Sequence, residues 1–124
     1  MVESETVAAT CARLLDEKKA EDILVLRVER LTSIADYFVI GSGHNPRQLK
    51  AMAEDIHDIV DEFHLHRLGT EGTPESGWIL VDLGDVIVHL FDVPRRQIYS
   101  LEVLWGDAPT TDWKAIATLK KAGE

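Results

Sequence analysis

A single cysteine, Cys11, stands among the 124 residues, so no disulfide can form within the chain and nothing points to an oxidising compartment. No apolar run approaches the roughly 20 residues needed to span a bilayer, which argues against a membrane partner. The acidic start Met1-Val2-Glu3-Ser4-Glu5 lacks the basic and apolar regions of a signal peptide. A cytoplasmic protein is the expectation. Cations are scarce too: 13 Lys plus Arg against 22 Asp plus Glu give a net charge of -9. The densest basic spots, Lys18-Lys19, Arg95-Arg96 and Lys120-Lys121, are only pairs. Nucleic-acid affinity rests on cations displacing counterions, so direct DNA or RNA binding is disfavoured. An acidic surface is better suited to a basic protein, where complementary charge raises the association rate and selects the partner.

What is present is ordinary in amount and informative in order. An apolar share of 45% suits one soluble domain with a working core. Residues 4–18 predict an amphipathic helix with Val7, Ala8, Cys11, Leu14 and Leu15 on one stripe and Ser4 as N-cap. Asp22-Ile23-Leu24-Val25-Leu26-Arg27-Val28 is apolar on both faces at its centre, like a strand covered on two sides. A second strand over 36–40 runs into Gly41-Ser42-Gly43, which is expected to end it. Asn45-Pro46 then starts a helix over 46–63, with Asn45 as N-cap, Pro46 at the first helical position and Gln48 as capping-box partner. Leu49, Met52, Ala53, Ile56, Ile59, Val60 and Phe63 form its stripe, opposite Glu54, Asp55, Asp58, Asp61 and Glu62.

The second half is hairpin and tail. Leu65 to Arg67 suggests a short strand, and the glycine-rich stretch 69–77 reads as a mobile connection. Gly84-Asp85 suits a two-residue type II′ turn, with Gly supplying the positive φ. That turn pairs Leu83 with Val86, Val81 with Val88 and Ile79 with Leu90 on one apolar face. The other face pairs Asp82 with Ile87, Leu80 with His89 and Trp78 with Phe91. A helix after Pro94 is expected to carry Ile98, Leu101, Leu104 and Trp105 inward, ended by Gly106 and Pro109. The domain is set at 1–108. The tail, 109–124, holds Trp113, Ile116 and Leu119 at helical spacing, as a short docked helix would. There are no internal repeats.

Several constellations invite chemistry. On pattern alone, the face with Trp78, Leu80, Asp82, His89 and Phe91 is either covered by a helix or left as an interface, where aromatics beside polar groups mark protein-binding hot spots. Gly41-Ser42-Gly43 before a helix N-terminus could hold a phosphate, although a glycine turn explains it as well. Asp82 and Asp85 flank a tight turn and need not converge on a metal. A transferase ion site wants two carboxylates at i and i+2 on one strand face, and no strand here carries that pair. His64 and His66 would point one way, with His57 a helical segment earlier, but zinc needs a further ligand and Cys11 sits on an apolar stripe. No nucleophile–base arrangement is recoverable from spacing. Neither a cofactor nor a metal is expected.

Read in order, several segments resemble the ribosomal silencing factor family, also called the Iojap or RsfS family. The likeness is carried by Lys18-Lys19-Ala20-Glu21-Asp22-Ile23, Ala35-Asp36-Tyr37-Phe38-Val39-Ile40, Ser42-Gly43, Arg47-Gln48, Trp78, Asp82-x-Gly84-Asp85, Val88-His89-x-Phe91 and Tyr99-x-Leu101-Glu102-x-x-Trp105. Departures are local: Pro94 stands where the family commonly has glutamate, Ile98 replaces a frequent aromatic, and Arg27 replaces a frequent acidic residue. The resemblance implies a single-domain α/β fold with a mixed sheet flanked by helices, similar to nucleotidyltransferases but without their acidic metal pair. It also implies a protein that is not an enzyme. Such a protein binds large-subunit ribosomal protein fourteen on the 50S subunit, blocks joining of the small and large subunits and lowers translation when nutrients are scarce. Tipped by that likeness, the hairpin face becomes the expected partner site, with Trp78, Leu80, Asp82, Asp85, His89 and Phe91 as its residues. A small nucleotidyltransferase-like enzyme and a ribosome assembly factor are the alternatives. A homodimer in the free state is a further expectation, because an apolar face awaiting a partner can pair with itself.

Overall fold

In the computed structural model, described here for residues 3–65 and 69–119, the centre of the molecule is a parallel pair of strands. Chain order gives α1 (Ser4–Glu17), β1 (Glu21–Arg27), β2 (Tyr37–Gly43), α2 (Pro46–Glu62), β3 (Gly69–Thr73), β4 (Trp78–Asp82), β5 (Val86–Asp92), α3 (Val93–Tyr99), α4 (Leu101–Leu104) and a 3-10 turn (Trp113–Ala115). The sheet order is β1-β2-β5-β4-β3, with β2 parallel to β5 and every other pair antiparallel. The crossover from β2 to β5 contains α2, as parallel neighbours require. The result is a single-domain α/β fold with a five-stranded mixed sheet flanked by helices.

The two sheet faces are covered differently. On one, α1 and α2 bury Leu14, Leu15, Leu49, Met52, Ile56 and Ile59 against Val25, Val39, Val81, Val88 and Leu90. Burying a side chain of this size contributes about 1.5–3 kcal/mol, so this face dominates the fold's stability. On the other, a smaller cluster of Leu26, Val28, Phe38, Ile40, Ile87 and Phe91 is capped by Leu101, Trp105 and Ala108. Leu101 comes from α4, and the other two from the turn after it.

Local chemistry explains the boundaries. Asn45 accepts from the Gln48 amide at 2.8 Å, and the Gln48 side chain reaches back to the His44 amide at 2.6 Å, so α2 starts as expected. At α1 the N-cap is Glu3 without a side-chain bond. Ser4 lies one residue inside the helix, and its hydroxyl donates to Asp36 at 2.9 Å instead. The glycines 41 and 43 do not end β2 but belong to it, paired with Leu90 and Asp92 of β5. A Cβ at Gly41 would come within 2.9 Å of the Leu15 side chain, and one at Gly43 within 2.9 Å of Met52. These glycines let α1 and α2 approach the sheet.

Three further expectations need correction. The stretch expected to be a mobile connection supplies β3, paired residue by residue with β4 from Gly69↔Asp82 to Thr73↔Trp78. The helix after Pro94 breaks at Ser100, which takes a left-handed conformation, and that rotates Leu104 out to 73% exposure while Leu101 and Trp105 pack inward. The Ile98 side chain lies outside those described. Over its described residues, 109–119, the tail is docked and holds a 3-10 turn in place of the expected helix: the Leu119 amide donates to Thr10 Oγ1, and its carbonyl accepts from Arg13. Upstream, Thr110 bridges Leu26, with Arg27 N–H on the Pro109 carbonyl at 2.9 Å, and closes the β1 edge. Two of the three residues of the strand expected over 65–67 lie outside the described residues.

Candidate functional site

The β4–β5 turn builds the site. Gly84 takes φ +87, and Asp85 is absent from the positive-φ residues, the combination a type II′ turn asks for. Asp82 Oδ1 accepts from the Gly84 amide at 2.9 Å and holds the turn shut. Register follows as expected: Trp78↔Phe91, Leu80↔His89 and Asp82↔Ile87. Extended across neighbouring strands, this face forms rows. Glu71, Leu80, His89 and Ile40 make one, and Gly69, Asp82, Ile87 and Phe38 the next.

Burial divides the expected site residues. Phe91 is 1% exposed and His89 7%, both closed in by their own chain. Trp78, Leu80 and Asp82 are half-buried, and Asp85 is exposed in the turn. Open surface therefore belongs to β4 and β3, while β5 supplies the floor. Trp78 stacks over that floor, with ring centroids 5.7 Å from Phe91 at 12° and 6.4 Å from His89 at 13°. Phe38 meets His89 edge-on at 5.2 Å, and Trp105 meets Phe38 edge-on at 5.1 Å. Stacked and edge-to-face pairs of this kind add about 0.5–1.5 kcal/mol beyond area burial, so the Trp78 ring is held in place before any partner arrives. Neither His89 ring nitrogen has a hydrogen-bond partner among the described residues. Burial pushes the ring's pKa down to about 4, so it is neutral at pH 7.

Other constellations resolve into structure. Ser42 is 1% exposed, and its hydroxyl accepts from Arg96 at 2.9 Å; the same guanidinium donates to the Asp22 carbonyl at 2.6 Å. Gly41-Ser42-Gly43 is thus a packed strand end tied to α3 rather than an open phosphate cradle. His57 Nε2 lies 3.0 Å from Thr70 Oγ1, and His66 is outside the described residues. Among the described residues no group of three or more His, Cys, Asp or Glu could hold a metal, and no helix is long and apolar enough to cross a membrane. Cys11 is fully buried, which raises its thiol pKa to about 12 and leaves it inert. Sequence reasoning missed Glu71, which β3 sets beside Leu80. The β-branched Thr70 and Thr73 before the turn Pro74–Gly77 were the available signal.

Fold and site together define a small mixed-sheet α/β domain that leaves an aromatic and acidic half-face of its sheet open. The comparisons with known proteins agree on one group. The profile of the family described as "Ribosomal silencing factor during starvation" matches residues 2–124. The ribosomal silencing factor RsfS of Bacillus subtilis is 44% identical over 108 residues, covering 87% of this chain and 92% of that protein. A mouse protein named "Mitochondrial assembly of ribosomal large subunit protein 1" is 38% identical over 98 residues, covering 74% of this chain and 42% of its own length. A crystal structure from Chromobacterium violaceum superposes with a TM-score of 0.80 at 32% identity, covering 85% of this chain and 88% of that one. This chain belongs to the RsfS family of ribosomal silencing factors.

Proposed function

We propose that the chain represses translation by binding large-subunit ribosomal protein fourteen on the 50S subunit, so that the small subunit cannot join when nutrients are limiting. The observation that carries this reading is the half-open face, with Trp78 stacked over Phe91 and His89 and flanked by Leu80 and Asp82. Tryptophan is enriched at binding hot spots, and a ring already held in place has little conformational entropy left to lose on contact. Asp82 and Asp85, on a chain of net charge -9, steer a basic partner toward that face. His89 and Phe91 act from below, by fixing the Trp78 ring. Repression on this reading is occupancy, with no chemical step, and its setting is the cytoplasm. In the free state the same face can pair with a second copy.

Sucrose-gradient profiles with purified subunits should show fewer joined ribosomes as this protein is added. Unchanged joining at saturating protein would overturn the reading. Calorimetric titration with nucleoside triphosphates and magnesium separates it from a nucleotidyltransferase, since the occupancy reading expects no heat. The name of the mouse relative favours a second reading, assistance in large-subunit assembly. Accumulation of immature large subunits in cells lacking the protein, with normal joining of mature ones, would select that reading.

A further inference from the structure

The two edges of the sheet are treated differently. At β1 the chain seals its own edge: Thr110 bridges Leu26, and the Thr111 amide donates to the Val25 carbonyl at 2.8 Å. At β3 the sheet order simply stops, and among the described residues nothing pairs with the outer side of Gly69–Thr73. The hairpin turn sets which groups face outward there. Leu83 N–H donates to the Val86 carbonyl at 2.9 Å, so residues 79, 81 and 83 bond toward β5, and 78, 80 and 82 bond toward β3. Their partners Glu71 and Gly69 therefore face inward, and the Thr70 N–H and C=O between them face outward.

Two cavities flank this edge, one on each side of the sheet. The first, about 240 Å³, has Leu80 and Ile87 as its apolar floor and Glu71 and Asp82 as its acidic walls. The second, about 330 Å³, lies between α2 and β3, with Ala53 and Ile79 inside and Glu54 and Glu75 among its walls. A strand added to an edge sends alternate side chains to opposite faces, so it would meet both cavities at once. Among the described residues lining the two cavities, Lys50 is the one lysine or arginine, against the carboxylates Glu54, Glu71, Glu75 and Asp82.

We propose that the open β3 edge receives an extended, lysine- or arginine-bearing segment of the ribosomal partner as a sixth strand. Its backbone pairs with Thr70, and its alternate side chains lay their aliphatic stems on the apolar floors with their charges against the carboxylates. A second copy of this chain fits less well, because it would bring Glu71 and Glu75 against their own like charges. This inference rests on the ribosomal reading above and adds where the partner's backbone sits.

Thr70→Pro removes the outward amide while leaving the Glu71 and Gly69 bonds to β4, and proline is tolerated on an edge strand at such a position. Thr70→Ala loses the same His57 contact but keeps the amide. Binding to purified large ribosomal subunits should be about 10-fold weaker for Thr70→Pro than for Thr70→Ala, the upper end of what one hydrogen bond contributes. In the unsubstituted chain, the Thr70 amide should exchange with solvent rapidly when free and slowly when bound. That measurement stands if the proline variant fails to fold. Equal binding by the two variants, or a Thr70 amide equally fast in the complex, would overturn the inference. So would a Thr70→Pro chain that loses only self-association. Absence of any binding by the unsubstituted chain would instead overturn the ribosomal reading itself.

Discussion

The two faces of the sheet differ in chemistry and in how completely they are covered. The α1/α2 face is apolar and closed, with Val39, Val81, Val88 and Leu90 at 0% exposure beneath Leu15, Leu49, Met52 and Ile56 at 0%. The opposite face mixes aromatic, aliphatic and acidic groups, and its cover of Leu101, Trp105 and Ala108 stops short of β4 and β3. Stability concentrated on one face frees the other to keep a half-buried tryptophan and a half-buried carboxylate. The closed face should therefore respond to substitution in melting temperature, and the open half-face in binding.

The largest expected effect is on the closed face. Ile56→Ala should cost about 2–5 kcal/mol of stability, read by denaturant unfolding, because it leaves a cavity under a fully buried helix residue. A loss below about 1 kcal/mol would mean that the closed face is not where stability is concentrated. Acid tests the floor of the open face. Above about pH 6.5, His89 is neutral in both folded and unfolded chains. As pH falls, the unfolded chain takes the proton first, so this residue's contribution is lost progressively down to about pH 4, reaching about 3 kcal/mol. His89→Leu should flatten that part of the stability–pH curve. An unchanged acid slope would remove His89 as its cause.

Trp78→Ala comes next. It should weaken binding to large subunits by about 2 kcal/mol, roughly 30-fold, while the fold survives. A stability loss of about 3–5 kcal/mol, the range for a buried tryptophan, would instead make Trp78 part of the core and erase the distinction between the faces. Asp82→Asn should have the smallest effect. Asparagine keeps the carbonyl that accepts from Gly84, so the turn persists, and only the steering charge is lost. Association should slow most visibly at low salt, by less than about 1 kcal/mol in affinity. A rate independent of salt would contradict a steering role.

How much of this was legible in the sequence depends on whether local signals decide the structure. The α2 start was legible because Asn45, Pro46 and Gln48 each act within one turn. The β4–β5 register was legible because Gly84 fixes the turn and alternation does the rest. β3 was not, because Gly69 and Gly72 look like loop residues until β4 offers them backbone partners. The role of Gly41 and Gly43 was hidden for a similar reason: it depends on Leu15 and Met52, distant in sequence. For the candidate site, the shared face was readable, but its division into an open β4 and a buried β5 was not. That division comes from Trp105 and Ala108 folding back over Phe38 and its neighbours, a contact no periodicity encodes.

Hydroxyl-radical footprinting of the chain alone and bound to purified large ribosomal subunits tests this division most directly, because tryptophan side chains report their own solvent contact. Trp78 lies on the open half-face, and Trp113 lies half-buried near β1 at the far edge. Binding should shield Trp78 from oxidation and leave Trp113 as reactive as before. Shielding of Trp113 with Trp78 unchanged would contradict the division.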